Sequence, residues 1–242
     1  MIDTHAHLEQ ILCDTRGEVD QIILAGANLE TSKRNLELIK DNNFLHATVG
    51  IHPQEIDDSP AELEKIVNEN FEKIVAIGEC GLDFSGGLEI NDSLISKQKN
   101  VFRKQIELAQ KYEKPLIIHA RKAVDEVVEI LKEYKNLSGV FHCYAGGKKR
   151  IQKIVDLNFY FGIDGNLTYE DGLVDVVRNI PKDRLILETD CPCLTPVPFR
   201  GEENKPAFVK YIYEKVAEIW GMSFEETEKI VDGNARKLFK IK

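Results

Sequence analysis

Residues 115–134 read PLIIHARKAVDEVVEILKEY. The first five form an apolar run that stops on His119, and the remainder places Val124, Val127, Val128 and Leu131 on one helical face. An unbroken apolar strand followed by an amphipathic helix is the unit of a parallel sheet covered by helices, because such a strand is buried on both faces. Working outward, apolar runs recur at residues 2–4, 21–25, 44–50, 74–78, 139–143, 159–163 and 185–189, which makes eight with 115–119. Helical patterns lie between them, as at 94–112, where Phe102, Ile106 and Ala109 recur at helical spacing. Residues 207–220 supply an eighth outer helix, and 224–239 an additional C-terminal helix whose last segment Asn234 is expected to cap. Eight such units in 242 residues predict an α/β fold, the (β/α)8 TIM barrel, with a doubly wound open sheet as the competing arrangement.

No linker or low-complexity stretch divides the chain, so residues 1–242 are expected to form a single domain. A composition of 43% hydrophobic and 30% charged residues is that of an ordinary globular protein. The net charge of −9 argues against nonspecific wrapping of a nucleic-acid duplex, which rests on neutralising many phosphates. No apolar run is long enough to span a bilayer, so no membrane partner is expected. The first residues lack the basic and apolar regions of a secretory signal. Five cysteines without the spacing of a disulfide framework suit a reducing compartment. A cytoplasmic monomer is expected.

In a barrel of this kind the chemistry sits at the C-terminal ends of the strands. Those ends carry His5-Ala6-His7, Gly50-Ile51-His52-Pro53, Gly78-Glu79-Cys80-Gly81, His119, His142 and, in LILETD, Asp190. Among the six histidines, only His46 falls inside a strand. Strand residues two apart share a face, so His5 and His7 can grip one ion. Imidazole and carboxylate together suit Zn²⁺, Mn²⁺ or, with more oxygen ligands, Mg²⁺. Four histidines and two carboxylates exceed one open site. They predict two divalent ions sharing a bridging carboxylate, for which Glu79 is the candidate. Cys80, Cys143 and Cys191 each follow a proposed ligand and are expected to point outward into the helix layer. Cys191-Pro192-Cys193 offers either a chelate or a labile disulfide, and Cys13 carries no signal.

The stretches DTHAHL (3–8), GIHP (50–53), GECGLDF (78–84), QKNVFRKQIELAQ (98–110), PLIIHAR (115–121), HCYAGG (142–147), ETDCPCLTPVPFRGEENKP (188–206) and NARKLF (234–239) run nearly end to end. In this order the chain resembles the TatD-type metal-dependent deoxyribonucleases, a branch of the amidohydrolase-like barrels. The resemblance implies a TIM barrel with His5, His7, Glu79 and Asp190 at one metal site, and Glu79, His119 and His142 at a second. It implies that His52 is a non-ligand histidine beside the scissile phosphate, and that Mg²⁺ supports nuclease activity. Glutamate at the bridge, where several barrel hydrolases use a carbamylated lysine, favours this branch. The chain departs from the family pattern at Cys80, Tyr144-Ala145, Asp164 and Cys191, none of them a proposed ligand.

The expected enzyme is a metal-dependent hydrolase of DNA phosphodiester bonds, trimming single-stranded or damaged ends. Asp190, His52 and Glu79 would be its catalytic groups, with Asp190 both ligating an ion and accepting the proton of the attacking water. Mg²⁺ or Mn²⁺ would support turnover, and Zn²⁺ is a candidate for the bound ion. An amide or ester hydrolase using the same site, such as one removing D-amino acids from tRNA, is the alternative. Arg121, Tyr144, Arg200 and Asn204 are candidate substrate contacts, as are the basic run 148–150 and Tyr169. Asp83 is a candidate for orienting a ligand, and Trp220 is expected in the core.

Overall fold

Residues 1–7, 19–85 and 91–242 are described by a computed structural model; Cys13 lies outside them. Eight strands pair in chain order, all parallel: β1 (Ile2–Ala6), β2 (Gln21–Leu24), β3 (Leu45–Val49), β4 (Ile74–Asp83), β5 (Leu116–Arg121), β6 (Gly139–Phe141), β7 (Phe159–Ile163) and β8 (Leu185–Leu187). The helices that alternate with them are α1 (Leu29–Leu38), α2 (Pro60–Asn70), α3 (Asp92–Lys111), α4 (Val124–Leu131), α5 (Ile151–Asp156), α6 (Asp171–Asn179) and α7 (Val209–Trp220), followed by α8 (Phe224–Phe239). The two ends of the sheet meet. Ala6 bridges Cys191, the His7 N–H donates to the Cys191 carbonyl at 2.9 Å, and the Asp190 N–H donates to the His5 carbonyl at 2.9 Å. Sequential order with joined ends is a TIM barrel, not a doubly wound sheet.

Asp3 reinforces that closure from inside the chain's first strand. Its carboxylate accepts from the Thr189 N–H at 2.9 Å, the Thr189 hydroxyl at 2.6 Å and the His5 N–H at 3.3 Å. Burial pushes the Asp3 carboxyl up to about 7 despite these donors. The role of Asp3 is thus to tie β1 to the segment after β8.

Within the barrel, Ile2, Ile23, Ala76, Ile117, Val140, Tyr160 and Ile186 form an inward layer, and Ala235, Leu238 and Phe239 of α8 join it from the N-terminal end. Burying side chains such as Leu238 and Phe239 contributes roughly 1.5–3 kcal/mol each. The extra C-terminal helix is therefore the floor of the barrel rather than an appendage. A capping box between Ser223 and Glu226 starts it. Asn234 does not cap its end. It lies within α8, and its amide donates to the carbonyls of Lys182 and Leu185 at 2.8 Å each, fastening the helix to the start of β8. Asn234→Ala is expected to leave the buried Leu185 carbonyl and the partly exposed Lys182 carbonyl without these donors and to cost about 1–3 kcal/mol, measured as a lower midpoint in urea. Trp220 also differs from expectation: it is the last residue of α7 and only half-buried, with the Lys182 ammonium 5.1 Å from its ring centre.

Candidate metal centre

Two irregularities in the sheet aim the side chains at the barrel mouth. Along β1, Asp3 pairs with Ile22 but Ala6 with Leu24, so β1 holds one extra residue. Along β4, Ile77 pairs with Leu116 but Cys80 with Ile118, again one residue too many. A bulge flips the phase of the side chains that follow it. Ile2 faces inward and, after the bulge, Ala6 faces the outer layer, which leaves His5 inward. Ala76 faces inward and Ile77 outward, and after the bulge Cys80 faces outward, which turns Glu79 inward. Strict alternation through residues 76–80 would have sent Glu79 into the helix layer. On β5, β6 and β8 no bulge is needed: alternation from Ile117, Val140 and Ile186 delivers His119, His142 and Glu188, while Asp190, past the end of β8 at φ +53°, is held by its N–H bond to the His5 carbonyl.

The result is a cluster centred on one carboxylate. Glu79 Oε2 lies 3.5 Å from His5 Nε2 and 3.9 Å from His7 Nε2. Asp190 Oδ1 lies 3.7 and 3.4 Å from the same two nitrogens, which are 3.3 Å apart. The other oxygen, Glu79 Oε1, lies 2.8 Å from His119 Nδ1, 2.9 Å from His142 Nε2 and 3.4 Å from His52 Nε2. Donors about 2.0–2.2 Å from a common ion stand roughly 3.3–3.6 Å from one another in a tetrahedral arrangement. The spacings among His5, His7, Glu79 Oε2 and Asp190 lie close to that pattern, whereas His119 and His142 stand at hydrogen-bond distance from Glu79 Oε1 and would open slightly around an ion. The donor set is the nitrogen and oxygen mixture that divalent ions take. Among the described residues, the three-residue groups able to hold an ion include His5-His7-Glu79, His5-His142-Asp190 and His52-Glu79-His119. A further acidic group, Asp20, Glu228 and Asp232, surrounds the Met1 ammonium at 2.5, 2.6 and 3.4 Å and so already has its cation.

Charge is arranged to match. Burial alone would raise Glu79, but the histidines around it, His142 foremost, hold it well below the usual carboxylate range. Burial likewise opposes the low value of Asp190, and His7 and His5 outweigh it. For His119 and His142 burial favours the neutral ring, yet Asp83 and Glu79 raise the first, and Glu79 and Glu188 raise the second well above normal. Without an ion, protons therefore sit on the nitrogens that face Glu79. An ion must displace them, so affinity for divalent metal should fall as pH drops through and below neutrality. Calorimetric titration with Mn²⁺ at pH 7 in buffers of different ionisation enthalpy should show net proton release. Binding without proton release would argue that these histidines are not ligands.

His52 behaves differently. Burial lowers it to about 4, so its ring is neutral at pH 7. Its Nδ1 accepts from the Gln54 N–H at 3.2 Å, which leaves the ring proton on Nε2, directed at the cluster. Gln54 also donates to Asp83 Oδ2 at 2.9 Å, and the same oxygen lies 3.3 Å from His119 Nε2. Asp83 thereby stands behind His119, as expected of it.

A cavity of about 820 Å³ opens over the cluster, walled by His7, His52, His119, Arg121, Tyr144 and Arg150 among others. Arg121 lies in this wall and is exposed. Asn204 does not fit a substrate contact. It is fully buried, its amide donates to the carbonyls of Thr189 and Cys193 at 2.9 and 2.5 Å, and its oxygen accepts from the Lys205 N–H at 2.9 Å. Its polarity is spent on folding the loop after β8. Tyr144 is buried against Phe141 and Phe161, with its hydroxyl donating to the Gly147 carbonyl at 2.9 Å, so it shapes the wall instead of offering a free face. Arg200 is exposed and stacks on Tyr169, guanidinium carbon 4.1 Å from the ring centre, which engages both residues with each other. In the basic run, Lys148 pairs with Asp175 at 2.6 Å and Arg150 with Asp125 at 2.5 Å.

The cysteines divide. Cys80 and Cys191 are buried in the outer layer as expected, and neither they, Cys143 nor the exposed Cys193 forms a disulfide. Cys143 does not point outward. The strand ends at Phe141, and Cys143 has φ +45°, so the alternation no longer applies and the residue lines the cavity. His46, at the opposite end of the barrel, meets Gln21 at 3.0 Å.

A family model described as "TatD related DNase" matches residues 2–240. The chain belongs to the TatD family. It is 39% identical to YabD of Bacillus subtilis, described as an uncharacterized metal-dependent hydrolase, over all of this chain and 99% of that one. It is 32% identical to the 3'-5' ssDNA/RNA exonuclease TatD of Salmonella typhimurium, over 92% of this chain and 88% of that one. Among solved structures, the TatD homologue YJJV of Escherichia coli K12 superposes with a TM-score of 0.88 at 26% identity, covering 100% of this chain and 98% of the other. This TatD-family protein is a metal-dependent hydrolase with a TIM-barrel fold. No helix among its described residues is long and apolar enough to cross a membrane.

Proposed function

We propose that the protein hydrolyses phosphodiester bonds at the ends of single-stranded or damaged DNA, using two divalent ions held at the mouth of the barrel. The observation that carries this reading is the division of Glu79: one oxygen faces His5 and His7, the other faces His119 and His142. A carboxylate in that position is suited to bridge two ions, with Asp190 completing the first group. When bound, Mg²⁺ or Mn²⁺ would supply Lewis acidity and a more acidic water, and Zn²⁺ suits the histidines as a tightly held ion.

The side chains divide the remaining work. Asp190, with a depressed pKa, is a carboxylate at neutral pH and stands where it can take the proton of the attacking water. His52 is neutral with its proton on Nε2, so its task is to donate a hydrogen bond to a phosphoryl oxygen rather than to transfer a proton. Arg121, in the cavity wall, would contact a neighbouring phosphate. The Salmonella relative's action on ssDNA and RNA supports a nucleic-acid substrate.

Oligonucleotides of single-stranded DNA labelled at the 5' or the 3' end, incubated with Mg²⁺ or Mn²⁺, should shorten stepwise. Asp190→Asn should slow that shortening by about 10²- to 10⁴-fold. Full activity in Asp190→Asn would identify a contaminant, and release of amino acid from aminoacyl-tRNA without action on DNA would transfer the site to acyl chemistry.

A further inference from the structure

We infer that Glu188 is a positioning residue that fixes the ring of His142 with Nε2 toward Glu79, and so sets the affinity of the ion held by His119 and His142. The inference rests on the metal-binding reading of the site but not on the identity of the substrate.

Glu188 is completely buried, directly after β8 and two residues before Asp190. A buried carboxylate is retained at a large desolvation cost unless charge and hydrogen bonds answer it. Its protein partners answer it poorly. The Cys143 N–H donates to Oε1 at 2.5 Å. The Thr4 hydroxyl lies 3.5 Å from Oε2 but is closer to the Leu187 carbonyl, at 3.0 Å. Asp164 adds a second carboxyl nearby, which burial pushes up to about 7. No lysine or arginine pairs with Glu188 among the described residues; its one ion-pair partner is His142, whose Nδ1 lies 3.5 Å from Oε1. That nitrogen is itself buried and makes no hydrogen bond at this separation, so Glu188 is the acceptor it would reach on a small adjustment of the ring. Each group is what the other lacks.

The chemistry of a ligating imidazole explains the pairing. Of its two nitrogens, the one facing the ion must be unprotonated, and the other then carries the proton and needs an acceptor. Asp83 provides that acceptor behind His119 at 3.3 Å, and Glu188 provides it behind His142. The backbone is shaped around this carboxylate as well. A Cβ on Gly162, in the neighbouring strand β7, would lie 2.4 Å from Glu188 Oε2 and 2.8 Å from Oε1. Glycine there leaves room for the carboxylate and nothing larger.

The test compares wild type, Glu188→Ala, His142→Ala and the double variant by titration with Mn²⁺ and with Zn²⁺, with circular dichroism and melting temperature recorded for each. Glu188→Ala is expected to weaken one equivalent of metal by about 10- to 100-fold and to leave the other unchanged. In the His142→Ala background, removing Glu188 should change affinity less than about twofold, because its effect passes through His142. Glu188→Gln, which keeps an acceptor for Nδ1–H, should recover part of the loss. Gly162→Ala, which keeps the carboxylate but displaces it, should weaken the same equivalent and serves if Glu188→Ala does not fold. Wild-type affinity in Glu188→Ala or Gly162→Ala, or an equal loss with and without His142, would overturn the inference. A wild-type protein that binds no divalent ion would instead overturn the metal centre itself.

Discussion

Glu79→Gln should lose both equivalents of divalent metal and, with them, hydrolysis. Among the described residues, the side chain is the one carboxylate within 4 Å of His5, His7, His52, His119 and His142 together. The amide keeps the shape of the carboxylate but offers a single acceptor oxygen, so one of its two faces presents N–H groups where an acceptor is needed. The negative charge that holds the surrounding histidines and ions together is also removed. Loss of an outer partner of a metal ligand costs about 10- to 100-fold in affinity, and loss of the shared ligand should exceed that. Metal content after dialysis, by elemental analysis, and turnover on labelled oligonucleotides read the two effects. Because the substitution preserves volume at a buried site, circular dichroism should show an intact barrel. Two retained equivalents of metal would mean that Glu79 is not the bridge.

Gly81→Ala should be the most destabilising small substitution near the site. Gly81 has φ +139°, a region that an L side chain rarely adopts, and it stands opposite His119 in the β4–β5 pairing. A Cβ there would lie 2.0 Å from the His119 carbonyl oxygen, which is backbone and has no room to yield. Strain and clash together should cost about 3–5 kcal/mol, lowering the melting temperature by roughly 10 °C in a chain of this size. Gly172, on α6 with nothing within 4 Å of an added Cβ, is the internal control, and Gly172→Ala should leave the melting temperature nearly unchanged. If the two variants melt together, the packing argument for Gly81 fails.

The barrel was legible because its strands are mostly apolar runs and its helices amphipathic, two patterns that local sequence carries without help. The functional positions were legible for a related reason. Polar residues at the ends of buried strands cannot be there for packing, so His5, His7, His119, His142 and Asp190 stand out. Glu188 was not singled out from the sequence: alternation from Ile186 turns it inward, but a buried carboxylate without an obvious partner carries no signal until His142 is seen beside it. The misreadings have a common cause. Tyr144 follows β6 and Arg200 and Asn204 follow β8, all in loops, and sequence alone does not say whether such polar groups face a ligand or engage neighbouring carbonyls and rings. In the structure they do the latter.

What the sequence by itself determined is the inventory: eight βα units, a His-x-His pair, and carboxylates at strands four and eight. What only the tertiary structure decided is aim. The inward direction of His5 and Glu79 depends on one extra residue in each of β1 and β4, and a bulge is defined by the partner strand against which the extra residue is counted. Cys143 turns into the cavity because β6 stops at Phe141, and Asn234 bonds to β8 because α8 folds under the barrel. Each of these is set by contacts between residues far apart in the chain, which no local period records.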